Sequence, residues 1–190
     1  MRLMTAMLLT SVTLLGCEGK GNEKANKTTT TKAAVGIPAI TFMADRPADV
    51  QDLAEVKKDA KVGDQVTFLA RVGGRGKPFV EKQAIFVAAD PSLKSCELIA
   101  EEDHCPVPWD YCCENGALLR NGMATIRILG EDGRPLGVNV KGAGGLQAAK
   151  FIVVQGTVSD RNDEGLFIVD AGRIWVGDKP TYQEPRKGSM

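Results

Sequence analysis

Phe151 to Val158, FIVVQGTV, followed by Leu166 to Val176, LFIVDAGRIWV, is the stretch on which the fold turns. Both runs are rich in β-branched and aromatic residues. The segment between them, Ser159 to Gly165 (SDRNDEG), is made of turn formers. Two such runs joined by a short polar loop read as an antiparallel hairpin.

Working outward, Ala124 to Leu129 (ATIRIL) sets Ile126 and Ile128 against Thr125, Arg127 and Leu129. Glu131-Asp132-Gly133 then supplies a turn before Leu136 to Val140, which predicts a second hairpin. Gln65 to Val72 (QVTFLARV) runs into Gly73-Gly74, as a curved strand breaking at a bulge would, and Gln83 to Ala89 (QAIFVAA) reads as its antiparallel neighbour. Pro47 to Lys58 puts Val50, Leu53, Ala54 and Val56 on one stripe, which predicts a short amphipathic helix. Gly144 to Ala149 has room for one helical turn. From Asp64 to Val176 this order of strands, with the glycine break in the first, resembles an OB-fold, a small Greek-key barrel. The expected class is therefore mainly β: a small antiparallel OB-like barrel over residues 36–178, with a short N-terminal helix and a disulfide-stapled insertion between strands 2 and 3.

Before the barrel the sequence changes character. Arg2 precedes an uncharged apolar run from Leu3 to Leu15, shorter than the roughly 20 residues a spanning helix needs, so residues 1–16 read as a secretory signal. The run ends at Leu14-Leu15-Gly16-Cys17, which resembles the lipobox of bacterial lipoproteins. The resemblance implies that Cys17 carries lipid and ties the chain to a cell-envelope membrane, on its periplasmic or extracellular face. Residues 17–35 continue as a polar tether with four consecutive threonines, and residues 179–190 form a polar tail. The segment PWDYCCE (Pro108 to Glu114) is similar to one in uncharacterised bacterial envelope lipoproteins, which carry no known activity.

Charge narrows the function. The whole chain carries 24 basic and 24 acidic residues, but residues 36–178 hold 16 and 21, a net of −5. A basic nucleic-acid protein is not the default for such a domain. The single histidine, His104, removes chemistry that needs two imidazoles. No G-x-S-x-G or H-E-x-x-H motif is present, and neither GGRGKP (Gly73 to Pro78) nor GAGGLQ (Gly142 to Gln147) has the spacing of a nucleotide-binding loop. No catalytic residue, cofactor or resident metal is expected, and the chain reads as a non-enzyme.

Between the second and third strands, Pro91 to Gly122 is longer than a hairpin needs and holds Cys96, Cys105, Cys112 and Cys113. In an exported chain four thiols predict two disulfides. Pairing adjacent Cys112 and Cys113 would close a strained ring, which leaves Cys96 and Cys105 each bonded to one of them. One alternative is a soft-metal (Cu or Zn) site of these thiolates, with His104 as a candidate further ligand, although C-x8-C-x6-C-C lacks the C-x2-C knuckles of structural zinc; another is thiol exchange by a low-pKa cysteine, which six nearby carboxylates disfavour.

The candidate contact residues are Arg75, Lys77 and Phe79 in the loop after the first strand, with Trp109 and Tyr111 in the insertion. The other loop of that face, SDRNDEG, offers Asp160, Asp163 and Glu164 against Arg161 and predicts a broken positive groove. The resulting expectation is a membrane-anchored, non-catalytic binding or scaffold lipoprotein whose partner is an envelope protein, a glycan or a small molecule. Its alternatives are OB-type binding of single-stranded nucleic acid or oligosaccharide, and soft-metal binding.

Overall fold

The computed structural model describes residues 36–96 and 107–178. The signal, Cys17, the tether, His104, Cys105 and the tail lie outside the described residues.

Among the described residues, seven strands and two short helices follow in the order β1 (Phe42–Met43), β2 (Gln51–Asp52), α1 (Leu53–Asp59), β3 (Gln65–Val72), β4 (Ile85–Ala89), α2 (Gly116–Gly122), β5 (Met123–Arg127), β6 (Phe151–Arg161) and β7 (Phe167–Gly177). Strands β3 to β7 close a barrel. β3 pairs antiparallel with β4 and β6, β4 with β5, and β6 with β7, and a parallel β5–β7 ladder completes the ring. This order is consistent with the OB-like barrel expected from the sequence. β3 changes partner as it curves. It lies along β6 from Gln65 to Arg71 and meets β4 only at Arg71 and Val72. β1 and β2 are two-residue parallel additions to β7 and β3.

The unbroken FIVV run has a physical reason. Ile152 and Val154 point into the barrel core with Phe68, Phe86, Ile126 and Ile174. Phe151 and Val153 pack on the outer face with Leu69, under Trp175 and Val50. Both faces of β6 are covered here, so alternation is lost. Farther along, the β6–β7 register shifts at Gln155/Gly156, where a Cβ on Gly156 would stand 2.3 Å from the Asp170 carbonyl oxygen. Glycine is required at that bulge. The parallel closure is pinned from outside by Arg127, whose guanidinium donates to Asp170 at 2.7 and 3.0 Å and to Ser159 Oγ at 3.1 Å.

Two sequence expectations are corrected. The helix begins at Leu53, not near Pro47, because Asp49 takes a left-handed φ of 53° and Gln51–Asp52 pair with β3 instead. Its N-terminus is satisfied from a distance: buried Asp90 accepts from the Ala54 N–H at 2.7 Å. The strand expected at Leu136 to Val140 does not form. The second hairpin is a tight loop closed by one Leu129–Pro135 bridge, after which the Leu136 carbonyl accepts from Ala84 N. The turn expected near Gly144 is a 3-10 turn, Ala143–Gly145.

Candidate binding cleft

A cleft of about 610 Å³ opens on the outer face of β4 and β5. Ile85 and Val87 of β4 and Met123 and Thr125 of β5, all half-buried, make its floor. The β3–β4 loop supplies Arg75 and Lys77 on one side, and the β6–β7 loop supplies Glu164 and Leu166 on the other. Arg120, from the end of α2, adds a third cation. Three positive groups thus face one carboxylate within a domain whose net charge is −5. Asp160 and Asp163, expected to break this groove, are not among its lining residues. Arg161 is turned away, its guanidinium donating to the Ala60 carbonyl.

The cleft is braced from beneath by Lys57 of α1, which is 7% exposed. Its ammonium donates at 2.7 Å to each of the carbonyls of Arg120, Met123 and Gly165, and it sits 5.6 Å from the Phe167 ring centroid. An ammonium has three N–H donors, and all three are used. The same three residues line the cleft, so one buried charge fixes α2, the start of β5 and the β6–β7 loop relative to one another. Burial, and secondarily the Arg161 guanidinium, bring the Lys57 pKa down to about 8.

The five expected contact residues divide. Arg75 and Lys77 are exposed and line the cleft. Phe79 does not: its backbone bridges Phe86, and the two rings lie 6.1 Å apart as part of the core packing. Tyr111 is 1% exposed, packed with Ala89 and Leu93, and its hydroxyl accepts from Arg71 Nη1 at 3.4 Å. Trp109 is half-buried; its indole N–H donates to Gly76 O at 3.1 Å and its carbonyl accepts from Gly74 N at 3.0 Å. The aromatic pair therefore fastens the insertion to the back of the β3–β4 loop, with the Tyr111 ring buried and the Trp109 ring half-exposed. Gly73 permits the contact, since a Cβ there would stand 2.5 Å from the Trp109 carbonyl oxygen. Sequence reasoning missed Arg120 because it missed α2. The available signal was Asn115, whose side chain accepts from Ala117 N at 2.8 Å and Leu118 N at 3.4 Å as an N-cap.

The expected disulfide staple is not found among the described residues. The Cys96 and Cys112 sulfurs are 3.5 Å apart and those of Cys112 and Cys113 3.8 Å, against about 2.05 Å for a disulfide bond. What holds the insertion in place is a pair of main-chain donors: Cys96 N donates to Asp110 O at 2.8 Å and Lys94 N to the Glu114 side-chain carboxylate at 2.8 Å. Those hydrogen bonds and the Tyr111 anchor do the work assigned to the bridges.

No protein-family model matches the chain, and no curated protein matches it. Among solved structures it is similar to a protein from Leishmania major Friedlin named as an aspartyl-tRNA synthetase, at 10% identity and a TM-score of 0.36. That similarity covers 78% of this chain and 24% of the other, and it carries no argument about function. The fold and site define a closed five-stranded barrel with a cationic cleft on one face. Among the described residues no helix is long and apolar enough to cross a membrane.

Proposed function

We infer that this is a lipid-anchored, non-catalytic binding protein of the cell envelope, whose β4–β5 cleft takes an acidic ligand of small-molecule or oligosaccharide size. The observation that carries the binding reading is that Arg75, Lys77 and Arg120 all line one cleft with a mostly apolar floor, with Glu164 as its single acidic lining residue. Cations grouped in a concave site recognise carboxylate or phosphate groups, and guanidinium does so through paired hydrogen bonds. Strands 2 and 3 of an OB-like barrel, with their flanking loops, are also the face such barrels use. Single-stranded nucleic acid is the weaker candidate because its binding draws on exposed aromatic platforms. Here Phe79 packs into the core and Phe167, the one aromatic lining the cleft, is buried.

The test is a titration of the intact chain at low salt with a uronic-acid oligosaccharide and, separately, with an oligothymidylate. Binding of the uronate that falls at least about tenfold in Arg75→Ala plus Arg120→Ala supports the cleft reading. Equal affinity in wild type and variant, or retention of the oligothymidylate alone, overturns it. The anchor rests on the signal and the lipobox resemblance at Cys17. Labelled fatty acid is expected to enter the wild-type chain and to be lost in Cys17→Ala, with the chain shifting from membrane to soluble fraction. Equal labelling of the two would remove the anchor.

A further inference from the structure

The sulfurs of Cys96, Cys112 and Cys113 all lie within 4.8 Å of one another. Cys112 and Cys113 occupy the centre of a turn closed by Glu114 N donating to Tyr111 O at 3.0 Å, and this turn carries both adjacent side chains toward one point. Cys96 is brought against the turn by its own N–H on Asp110 O, and the Lys94–Glu114 hydrogen bond secures the other side. Cys96 is buried, whereas Cys112 and Cys113 are exposed, so the cluster has a packed wall and an open mouth. Beside it the Ser95 hydroxyl is buried with no hydrogen-bond partner among the described residues.

We propose that Cys96, Cys112 and Cys113 form a three-thiolate site for a soft monovalent cation, Cu(I). The spacing is the argument. With metal–sulfur bonds of about 2.3 Å, a trigonal ion sets its sulfurs about 4.0 Å apart. The separations of 3.5 and 3.8 Å, with all three sulfurs inside 4.8 Å, fit that triangle with small rotamer adjustments. Thiolates are soft donors that select Cu(I), and the three sulfurs found together among the described residues meet the low coordination number that such an ion accepts. On binding, each thiol passes its proton to solvent as its S–Cu bond forms. Copper keeps its oxidation state, and the site becomes doubly negative. The proposal is independent of the cleft, which it does not share residues with.

The experiment uses the intact chain, reduced with a phosphine and kept anaerobic, competing with a chromophoric bicinchoninate–Cu(I) complex. Wild type is expected to withdraw one Cu(I) per chain, with thiolate-to-copper charge-transfer absorption. Cys112→Ser and Cys113→Ser are each expected to weaken binding by about 100-fold or more. Both positions are exposed, so these variants should keep the wild-type unfolding midpoint. No uptake by the reduced chain, or uptake that survives Cys112→Ser or Cys113→Ser, overturns the site. So does a Cys96–Cys112 disulfide in chain isolated from copper-replete cells.

Discussion

Replacing Lys57 with Met is expected to cost about 3–5 kcal/mol of folding stability, read as a shift of the urea midpoint at constant slope. Methionine keeps the length and fills the space, so no cavity opens. What disappears is the charge and its three hydrogen bonds to Arg120, Met123 and Gly165, each at 2.7 Å. A bond to a charged group contributes about 1.5–3 kcal/mol, and the carbonyls left behind lose a partner in a site too buried for easy hydration. The sum is discounted because the three bonds share one donor and because methionine is easier to bury. Lys57→Arg should not rescue: a planar fork cannot place three N–H groups on carbonyls gathered around a single point. A midpoint unchanged within about 1 kcal/mol would show that the three segments are held together without Lys57.

The same residue gives a pH signature whose sign can be worked out. Its folded pKa is about 8, against 10.5 for the ordinary side chain. Between those values the unfolded chain binds more protons than the folded one, so this group makes stability rise with pH across the window. Below pH 8 the folded state bears the cost of a buried ammonium, and above pH 10.5 neither state holds the proton. Lys57→Met lacks the titration. The stability difference between wild type and variant should therefore widen from pH 8 to pH 10, at most by roughly 1.4 kcal/mol per pH unit. A gap that narrows instead would mean that the three carbonyls hold the proton more strongly than burial and Arg161 expel it. Because Arg120, Met123 and Gly165 also line the cleft, Lys57→Met should weaken ligand binding as well, through position and not through contact.

The sequence was most legible where a physical rule acts locally. Strand alternation and β-branched composition located β3, β4, β5, β6 and β7 to within a few residues, and the turn formers between β6 and β7 located the last hairpin. The loop after β3 was readable as a cation-bearing edge, and Arg75 and Lys77 do line the cleft. What stayed hidden depends on partners distant in sequence. The β5–β7 ladder joins residues more than forty positions apart in parallel, and no local pattern announces it. Pairing of Gln51–Asp52 with β3 shortened α1, whose N-terminus is completed by Asp90 rather than by its own cap. Aromatic residues misled for a related reason. A ring in a polar loop is equally suited to a partner or to a nearby hollow, and Phe79 and Tyr111 each found a hollow within the chain.

Tyr111→Ala is expected to cost about 3–5 kcal/mol, the range for truncating a buried aromatic. The ring is 1% exposed and fills the space against Ala89 and Leu93, with Leu119 and Met123 at its margin. A Cβ on Gly73 would stand 3.2 Å from the ring, so the insertion and the first turn after β3 pack closely here. Two variants divide the effect. Tyr111→Phe keeps the ring and removes the 3.4 Å hydrogen bond from Arg71, which at that length should cost no more than about 1 kcal/mol. The remainder measured in Tyr111→Ala then belongs to packing. Loss of the ring should also loosen what it anchors: the Gly74 amide, which donates to Trp109 O, should exchange its hydrogen faster, while amides of the β6–β7 hairpin keep their protection. Since Cys112 and Cys113 follow Tyr111 directly in the same turn, their alkylation should quicken too. If Tyr111→Ala unfolds at the wild-type midpoint with Gly74 still protected, the insertion is fixed by its hydrogen bonds alone. The Cys96–Asp110 and Lys94–Glu114 pairs would then be the next contacts to break.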